Sequence, residues 1–283
     1  MGAPYDPAHI AAMFDEYGDR EWSRHEDSPM ARVSFHIHRF YLHRFVRPGD
    51  RVLEVGAGAG RFTVELAELG ATVTVTDISP TQLELNRSHV AAAGLEAQID
   101  ASMVADVVDL AAFGAGSFDA VVCYGGPLSY ALDRAGDGVD EVLRVVKPGG
   151  HALMSVMSNL GSLRAFLGGL AEEWESYGPS KWQAIFETGD LAQDQSSTAP
   201  MHMFRWAELR ELLDRHGADV IAASAANFLS AGNNEIAEMW LADPARWERF
   251  LEWELSACAD PGALDGGTHI VVVARRADGR APT

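Results

Sequence analysis

Cysteine, basic residues and long apolar runs are all scarce in this chain of 283 residues. The only two cysteines, Cys123 and Cys258, form no CxxC pair, which argues against a disulfide framework and is typical of a reducing compartment. No apolar run approaches the roughly 18 residues of a membrane-spanning helix. The N-terminal segment MGAPYDPAHI lacks the basic and apolar regions of a secretion signal. We therefore expect a cytoplasmic protein with no membrane partner.

The shortage of basic residues gives the chain a strong negative charge. Lysine and arginine total 22 against 41 aspartates and glutamates, so the formal net charge is −19 at pH 7. Binding to a nucleic-acid backbone depends on clustered lysines and arginines that neutralise phosphates. The charge balance therefore predicts no nucleic-acid partner.

What the sequence does contain is a regular alternation of strand and helix patterns. A helix is predicted over 29–46, with Ser28 as its cap and Pro29 in its first turn. From there on, the predicted strands are RVLEVG, TVTVTD, SMVAD, FDAVVCY and HALMSVM, with helical patterns between them. This βαβαβ order predicts an α/β fold with a doubly wound, mostly parallel sheet. Two more strands are predicted near 219–225 and over 269–276.

The remaining segments interrupt this alternation. We predict one domain over 1–283, with an N-terminal helical segment at 1–48. Residues 159–203 read as an insertion that forms a lid, with the helical pattern SLRAFLGGLAEEW followed by a polar stretch. Residues 228–268 read as a second helical insertion, and 235–258 are rich in tryptophan.

The stretch VLEVGAGAGRF, residues 52–62, predicts a strand that enters a glycine turn and then a helix. Such a turn cradles a nucleotide-like cofactor, because glycine allows positive φ and a close approach to the backbone. A dinucleotide fingerprint needs GxGxxG, but Arg61 stands where its third glycine belongs, which disfavours NAD. No GK[ST] follows, which excludes a P-loop. Asp77 ends the next strand, 17 residues after Gly60, where a carboxylate can accept the hydroxyls of a ribose.

A further acid, Asp106, ends the third strand, where its carboxylate can accept from an adenine amino group. Three more motifs accompany Asp106: EVGAGAG at 54–60, TDIS at 76–79 and LRVVKPGG at 143–150. With these four features the chain resembles the class I S-adenosylmethionine-dependent methyltransferases. The resemblance covers about 30–157, with a weaker echo over 205–276. It implies a seven-stranded, Rossmann-like sheet that ends in an antiparallel strand, here with helical cap insertions.

The resemblance also implies roles for individual residues. In this family the acid before the glycines helps to hold the methionine amino group of the cofactor, and the glycines pass under its methionyl and ribose parts. The acid at the end of the second strand, Asp77, holds the ribose, and Ile78 and Val107 sandwich the adenine. The implied cofactor residues are Glu54, Gly56, Ala57, Gly58, Gly60, Asp77, Ile78, Asp106, Val107 and Tyr124.

Several of these residues also have structural interpretations. Glu54 has the alternative of a structural carboxylate beneath the loop, and Asp106 has the alternative of a cap for the following turn. His36 and His38 are two positions apart, so on a helix they point about 200° apart and cannot chelate one metal together. We therefore predict no metal site.

Methyl transfer from S-adenosylmethionine is the predicted activity, as the resemblance implies. The Asn/Asp-Pro-Pro-Tyr/Phe motif of nucleic-acid aminomethylating members is replaced here by YGGP at 124–127, so we expect a small, partly apolar acceptor. Candidate acceptor contacts are Tyr124, Tyr130, Trp182 and His202, and no catalytic base is assigned. The atom methylated, oxygen, nitrogen or carbon, stays open, and so does the oligomeric state, a dimer included. A protein side chain as acceptor and a non-catalytic cofactor-binding protein are the alternatives.

Overall fold

A computed structural model of the chain describes residues 4–169, 172, 174, 178–191 and 199–276. Seven strands in this part form one sheet: β1 (Arg51–Val55), β2 (Thr72–Asp77), β3 (Ile99–Val104), β4 (Phe118–Cys123), β5 (Val146–Met157), β8 (Ala218–Ala225) and β9 (His269–Arg276). The strand order is β3-β2-β1-β4-β5-β9-β8, and β9 runs antiparallel to both of its neighbours. The predicted doubly wound, mostly parallel sheet of seven strands is confirmed.

Helices cover both faces of this sheet, since neighbouring residues of each strand point to opposite sides. On one face, Leu53, Val121 and Val272 pack with helix α7 (Ala135–Val145) and helix α10 (Trp206–Arg215). On the other face, side chains such as Val52, Val122 and Val271 pack with further helices. These are α3 (Pro29–Phe45), α4 (Arg61–Glu68), α5 (Pro80–Ala92), α11 (Asn234–Leu241) and α12 (Pro244–Cys258).

The predicted cap of α3 forms as expected, and the bounds of β5 and of the helical stretch 235–258 are among those that differ from the prediction. The hydroxyl of Ser28 accepts from the N–H of Ala31 at the start of α3. Strand β5 begins at Val146, not after KPGG, because its register with β4 shifts between Phe118 and Ala120 and takes KPGG up as a bulge. The helical stretch 235–258 is divided between α11 and α12, where the carboxylate of Asp243 caps α12.

Three short helices complete the N-terminal half: α1 (Pro7–Tyr17), α2 (Arg20–Ser23) and α6 (Pro127–Tyr130). The segment 159–203 contains α8 (Asn159–Ala165), α9 (Pro179–Thr188) and a two-stranded hairpin of β6 (Asp190–Leu191) and β7 (Met201–His202). Parts of the predicted lid, at 170–171, 173, 175–177 and 192–198, lie outside the described residues. The division of the chain at 48, 159–203 and 228–268 stays a prediction.

Helix α8 directs the chain away from the sheet, and its position depends on a close contact between two glycines. A Cβ atom on Gly161 would lie 1.6 Å from the carbonyl oxygen of Gly267. We expect Gly161→Ala to lower the free energy of unfolding by at least about 1–3 kcal/mol, because the helix must move away. Gly168→Ala is the matched control, since a Cβ there meets nothing within 4 Å. Urea denaturation that gives the same stability for both variants would contradict this contact.

Candidate functional site

The carboxyl ends of β1, β2 and β4 open onto a cavity. Its floor consists of backbone and side chains that follow these strands and β3, and its roof comes from the N-terminal segment. The floor residues are Val55, Gly56, Gly58, Asp77, Ile78, Ala105, Asp106, Val107, Tyr124, Gly125, Pro127 and Tyr130. The roof residues are Tyr5, Ile10, Phe14, Glu21 and Arg24.

The glycine turn reaches the cavity in a conformation that side chains would not tolerate. Gly56 has φ +68°, and a Cβ there would lie 2.4 Å from Cγ of Pro127. Gly58 has φ +54°, and a Cβ there would lie 2.9 Å from Cγ of Glu21. Positive φ and close contact together require glycine at both positions, which accounts for the density of glycines in the sequence.

Asp77 holds this turn in place from the end of β2. Its carboxylate is buried and accepts the N–H of Gly58 and the N–H of Ser79, each at 2.8 Å. Each carboxylate oxygen can accept a further hydrogen bond, which leaves capacity for the hydroxyls of a ribose. Burial raises the pKa of Asp77 to about 6, against the opposing effect of the two N–H donors.

Glu54 lies beneath the turn and is not among the residues that line the cavity. The hydroxyl of Thr63 donates to its Oε2 at 2.6 Å, and the amide of Asn86 donates to the same hydroxyl at 2.7 Å. Burial raises the pKa of Glu54 to about 8, and the nearby Asp77 acts in the same direction. The structural interpretation of Glu54 therefore has direct contacts in its support, and its cofactor role stays a prediction.

At the other end of the cavity, Asp106 has two contacts of its own. Its Oδ1 accepts the N–H of Val108 at 3.1 Å, so it does cap the following turn. Its Oδ2 accepts the hydroxyl of Tyr5 at 2.9 Å, which ties the N-terminal segment to this end. Ile78 and Val107 line the cavity beside it, as expected of residues that sandwich an adenine. The adenine contact itself stays a prediction.

An ion pair in the roof was not expected from the sequence. The Nε of Arg24 donates to Oε1 of Glu21 at 2.7 Å, above Gly58 and next to Gly125. These two residues are three positions apart in a segment with weak helical periodicity. The sequence therefore showed only an ordinary i,i+3 pair of opposite charges, which does not by itself indicate a binding site. A carboxylate beside a guanidinium is complementary to the ammonium and carboxylate of a free amino acid.

The four candidate acceptor residues do not all lie together. Tyr124 and Tyr130 line the cavity, and burial raises the pKa of Tyr130 to about 12. Trp182 lies outside the cavity, against a small cluster of Ile185, Met201 and Met203. Tyr130 also packs on that cluster, so it connects the cavity to the insertion.

His202 is placed on a different surface from the cavity. Its ring nitrogens lie 2.7 Å from Oδ1 of Asp190 and 2.8 Å from Oε1 of Glu208. These two carboxylates raise its pKa, although burial opposes them. The structure therefore shows His202 tying the hairpin to α10, and its role as an acceptor contact has no geometric support.

Two further features of the described residues bear on the class of site. No group of three or more histidine, cysteine, aspartate or glutamate side chains there is arranged to hold a metal ion. Among the same residues, no helix has the length and apolar character needed to cross a bilayer.

Comparison with known proteins adds sequence relatives and a related structure. Residues 52–150 match the family described as methyltransferase domain. A ubiquinone biosynthesis O-methyltransferase of Xanthomonas oryzae is 38% identical over 111 residues, which are 39% of this chain and 44% of that enzyme. A demethylmenaquinone methyltransferase of Corynebacterium efficiens is 34% identical over 161 residues, 54% of this chain and 61% of that enzyme. The chain therefore spans less than two thirds of either relative.

A solved structure shares the fold across almost the whole chain. The 1,6-didemethyltoxoflavin-N1-methyltransferase of Burkholderia thailandensis was solved with 1,6-didemethyltoxoflavin and S-adenosylhomocysteine bound. The two structures align with a TM-score of 0.55 and 19% sequence identity. The alignment covers 98% of this chain and 94% of the Burkholderia enzyme. Residues 52–150 therefore match a methyltransferase domain, and the sheet order and the glycine turn agree with the fold that the resemblance to class I S-adenosylmethionine-dependent methyltransferases implies.

Proposed function

We propose that the chain binds S-adenosylmethionine in this cavity and transfers its methyl group to an oxygen, nitrogen or carbon nucleophile of a small, partly apolar molecule. The observation that carries the proposal is the order of polar groups along the cavity. Asp106 stands at one end, Asp77 in the middle, and the Glu21–Arg24 pair at the other end. The adenine amino group, the ribose hydroxyls and the amino-acid zwitterion of the cofactor follow in the same order.

The bound cofactor would supply a methyl group already activated by the positive charge on sulfur. The task of the protein is then to place the nucleophile in line with the methyl–sulfur bond and to exclude water. Tyr124, Gly125 and Tyr130 lie at the cavity end next to Arg24, where the methyl group would face the acceptor. The quinone-related names of the two relatives support a small acceptor with a ring. Cytoplasmic location stays a prediction.

The cofactor assignment is tested first at Asp77. Asp77→Ala removes charge-assisted hydrogen bonds worth roughly 1.5–3 kcal/mol each, and it also releases the N–H groups of Gly58 and Ser79. We expect the affinity for S-adenosylhomocysteine, measured by calorimetry, to fall at least about tenfold. Asp100→Ala, at an exposed acid near the opposite end of β3, is the control. Unchanged affinity in Asp77→Ala, or tight NADH binding by the wild-type protein, would exclude this assignment.

Proton release on binding distinguishes the two interpretations of Glu54. With its pKa raised to about 8, the free carboxyl carries a proton at pH 7. An ammonium group placed nearby lowers that pKa, so cofactor binding should release a proton and the affinity should rise as pH increases from 6 to 8. Calorimetry in two buffers of different ionisation enthalpy measures the released proton, and Glu54→Gln should abolish the release. No release at pH 7.5 in the wild type would support a purely structural carboxyl.

We further propose that residues 159–203 close over the acceptor. The support is that Trp182 and its cluster pack on Tyr130, which lines the cavity. We expect Trp182→Ala to lower kcat/KM for the acceptor while the affinity for S-adenosylhomocysteine stays unchanged. Phe186→Ala, at an exposed position of the same helix, is the control. A loss of about 3–5 kcal/mol in stability with unaltered acceptor kinetics would show instead that the segment packs permanently.

A further inference from the structure

A second hollow lies at the edge of the sheet opposite the candidate cofactor cavity. Its lining comes from the end of α3 and from the first residues of β4 and β5: Arg44, Phe45, Arg47, Asp50, Asp119, Lys147, Pro148, Gly149, Gly150 and His151. The cofactor cavity is at the carboxyl ends of the parallel strands, whereas this hollow is at their amino ends. Strand β1 has five residues, so roughly 15 Å of strand separates the two. We call this second site the basic hollow.

The charge of the basic hollow is opposite to that of the chain. The chain has 41 acids and only 22 lysines and arginines. In the lining, three permanent bases stand against two acids: Arg44, Arg47 and Lys147 against Asp50 and Asp119. A fourth base comes from β9, where Ala274 pairs with Ala152, so that Arg275 stands beside His151. The hollow is therefore a local concentration of positive charge on an acidic protein.

Both acids of the lining already have partners. Oδ2 of Asp50 accepts the backbone N–H of Arg47 at 2.7 Å. Oδ1 of Asp119 accepts Nζ of Lys147 at 2.7 Å, and its Oδ2 accepts the backbone N–H of Arg51 at 3.0 Å. The two carboxylates thus hold backbone groups and one lysine, and neither of them pairs with a guanidinium group of the hollow.

The guanidinium groups of Arg44, Arg47 and Arg275 have no carboxylate partner and no hydrogen-bond acceptor within the part of the chain that the structure describes. Arginines elsewhere are paired, since Arg39 and Arg61 lie 2.6 and 2.7 Å from a glutamate oxygen. Guanidinium groups bind best where a planar anion meets their N–H groups. Three unpaired arginines at one hollow, in a chain with an excess of acids, indicate a ligand that brings its own negative charge.

Arg44 also has a structural explanation. It lies in the last turn of α3, where a cation complements the partial negative charge of the helix carbonyl groups. This explanation does not extend to Arg47, which follows the helix, or to Arg275, which lies on a strand. The charge of these two arginines therefore needs another reason.

The positive groups are spread along an aromatic surface. The ring of Phe45 lies 5.2 Å from the ring of His151, and the guanidinium carbon of Arg44 lies 5.6 Å from the centre of the Phe45 ring. Arg44 is thus at one end of the two rings, and Arg275 is beside His151 at the other. This spacing suits an anion with two charged groups better than a single small ion.

His151 is sensitive to a bound anion because of its neighbours. Burial lowers its pKa, and the charges of Arg275 and Arg47 act in the same direction, against the opposing charge of Asp50. The ring is therefore uncharged at neutral pH. An anion that offsets the two arginines would raise the pKa of His151, which makes this ring a reporter of binding.

We propose that the basic hollow binds a small molecule with two linked phosphate groups. Guanidinium groups donate pairs of hydrogen bonds to phosphate oxygens, and Lys147 and His151 lie in the same lining. The basic hollow shares no lining residue with the cofactor cavity. Binding there is independent of the proposed methyl transfer, and it involves no covalent change in the ligand.

The test uses inorganic pyrophosphate, in metal-free buffer, with the full chain. We expect Arg47→Gln and Arg275→Gln, changed on different elements, each to lower the affinity measured by calorimetry at least about tenfold. Arg47→Lys should keep part of the affinity, because it keeps the charge without the planar fork. Arg246→Gln is the control, since that side chain is 72% exposed and lies on α12. The affinity for S-adenosylhomocysteine should be the same in all four variants.

The histidine signals provide a second measurement on the unchanged protein. The pKa of His151, followed by imidazole NMR, should rise when pyrophosphate is added, while that of the exposed His43 should not. No pyrophosphate binding by the wild type would overturn the proposal. Equal binding by the wild type and Arg47→Gln, with an unmoved His151 signal, would place the anion elsewhere and reject the site. Citrate that binds as tightly as pyrophosphate would contradict the phosphate class.

Discussion

The site depends on one buried carboxylate that holds two backbone N–H groups. Asp77 binds the N–H of Gly58 in the turn after β1 and the N–H of Ser79 at the start of α5. It thus fixes the glycine turn relative to β2, and the N–H of Ala57 adds a bond to the carbonyl of Thr76 at 3.0 Å. Because the turn is anchored by a side chain, its glycines can present bare backbone to the cavity. A ligand in this cavity would meet an arrangement that is already formed.

The sheet was predictable because each strand and helix is indicated by a short stretch of its own sequence. Each strand carries its own apolar run, α3 and α5 begin at the serine caps Ser28 and Ser79, and an acid stands at or just after the ends of β2 and β3. Bulges are less visible. KPGG reads as the end of a helix followed by a turn, and only pairing with β4 draws it into β5. The break at Asp243-Pro244 had a local signal, an N-cap followed by proline, that the apolar pattern of 235–258 concealed.

The roof of the cavity and the contact between the rings of His38 and His269 were not predictable for a different reason. Glu21 and Arg24 lie more than 30 residues before Gly58, and His269 lies more than 200 residues after His38. What brings them together is the way whole helices dock on the sheet, which no short sequence window records. His202 shows the reverse case, since a histidine that suggested chemistry has two carboxylate partners away from the cavity.

The N-terminal segment touches both ends of the cavity, through Tyr5 on Asp106 and through Glu21 above Gly58. A bound molecule enclosed in this way cannot leave until that segment lifts. The hydroxyl of Tyr5 donates to Oδ2 of Asp106, so an adenine amino group that donates to Asp106 would share this carboxylate with the segment. The rate at which this segment opens would then set the residence time of the spent cofactor.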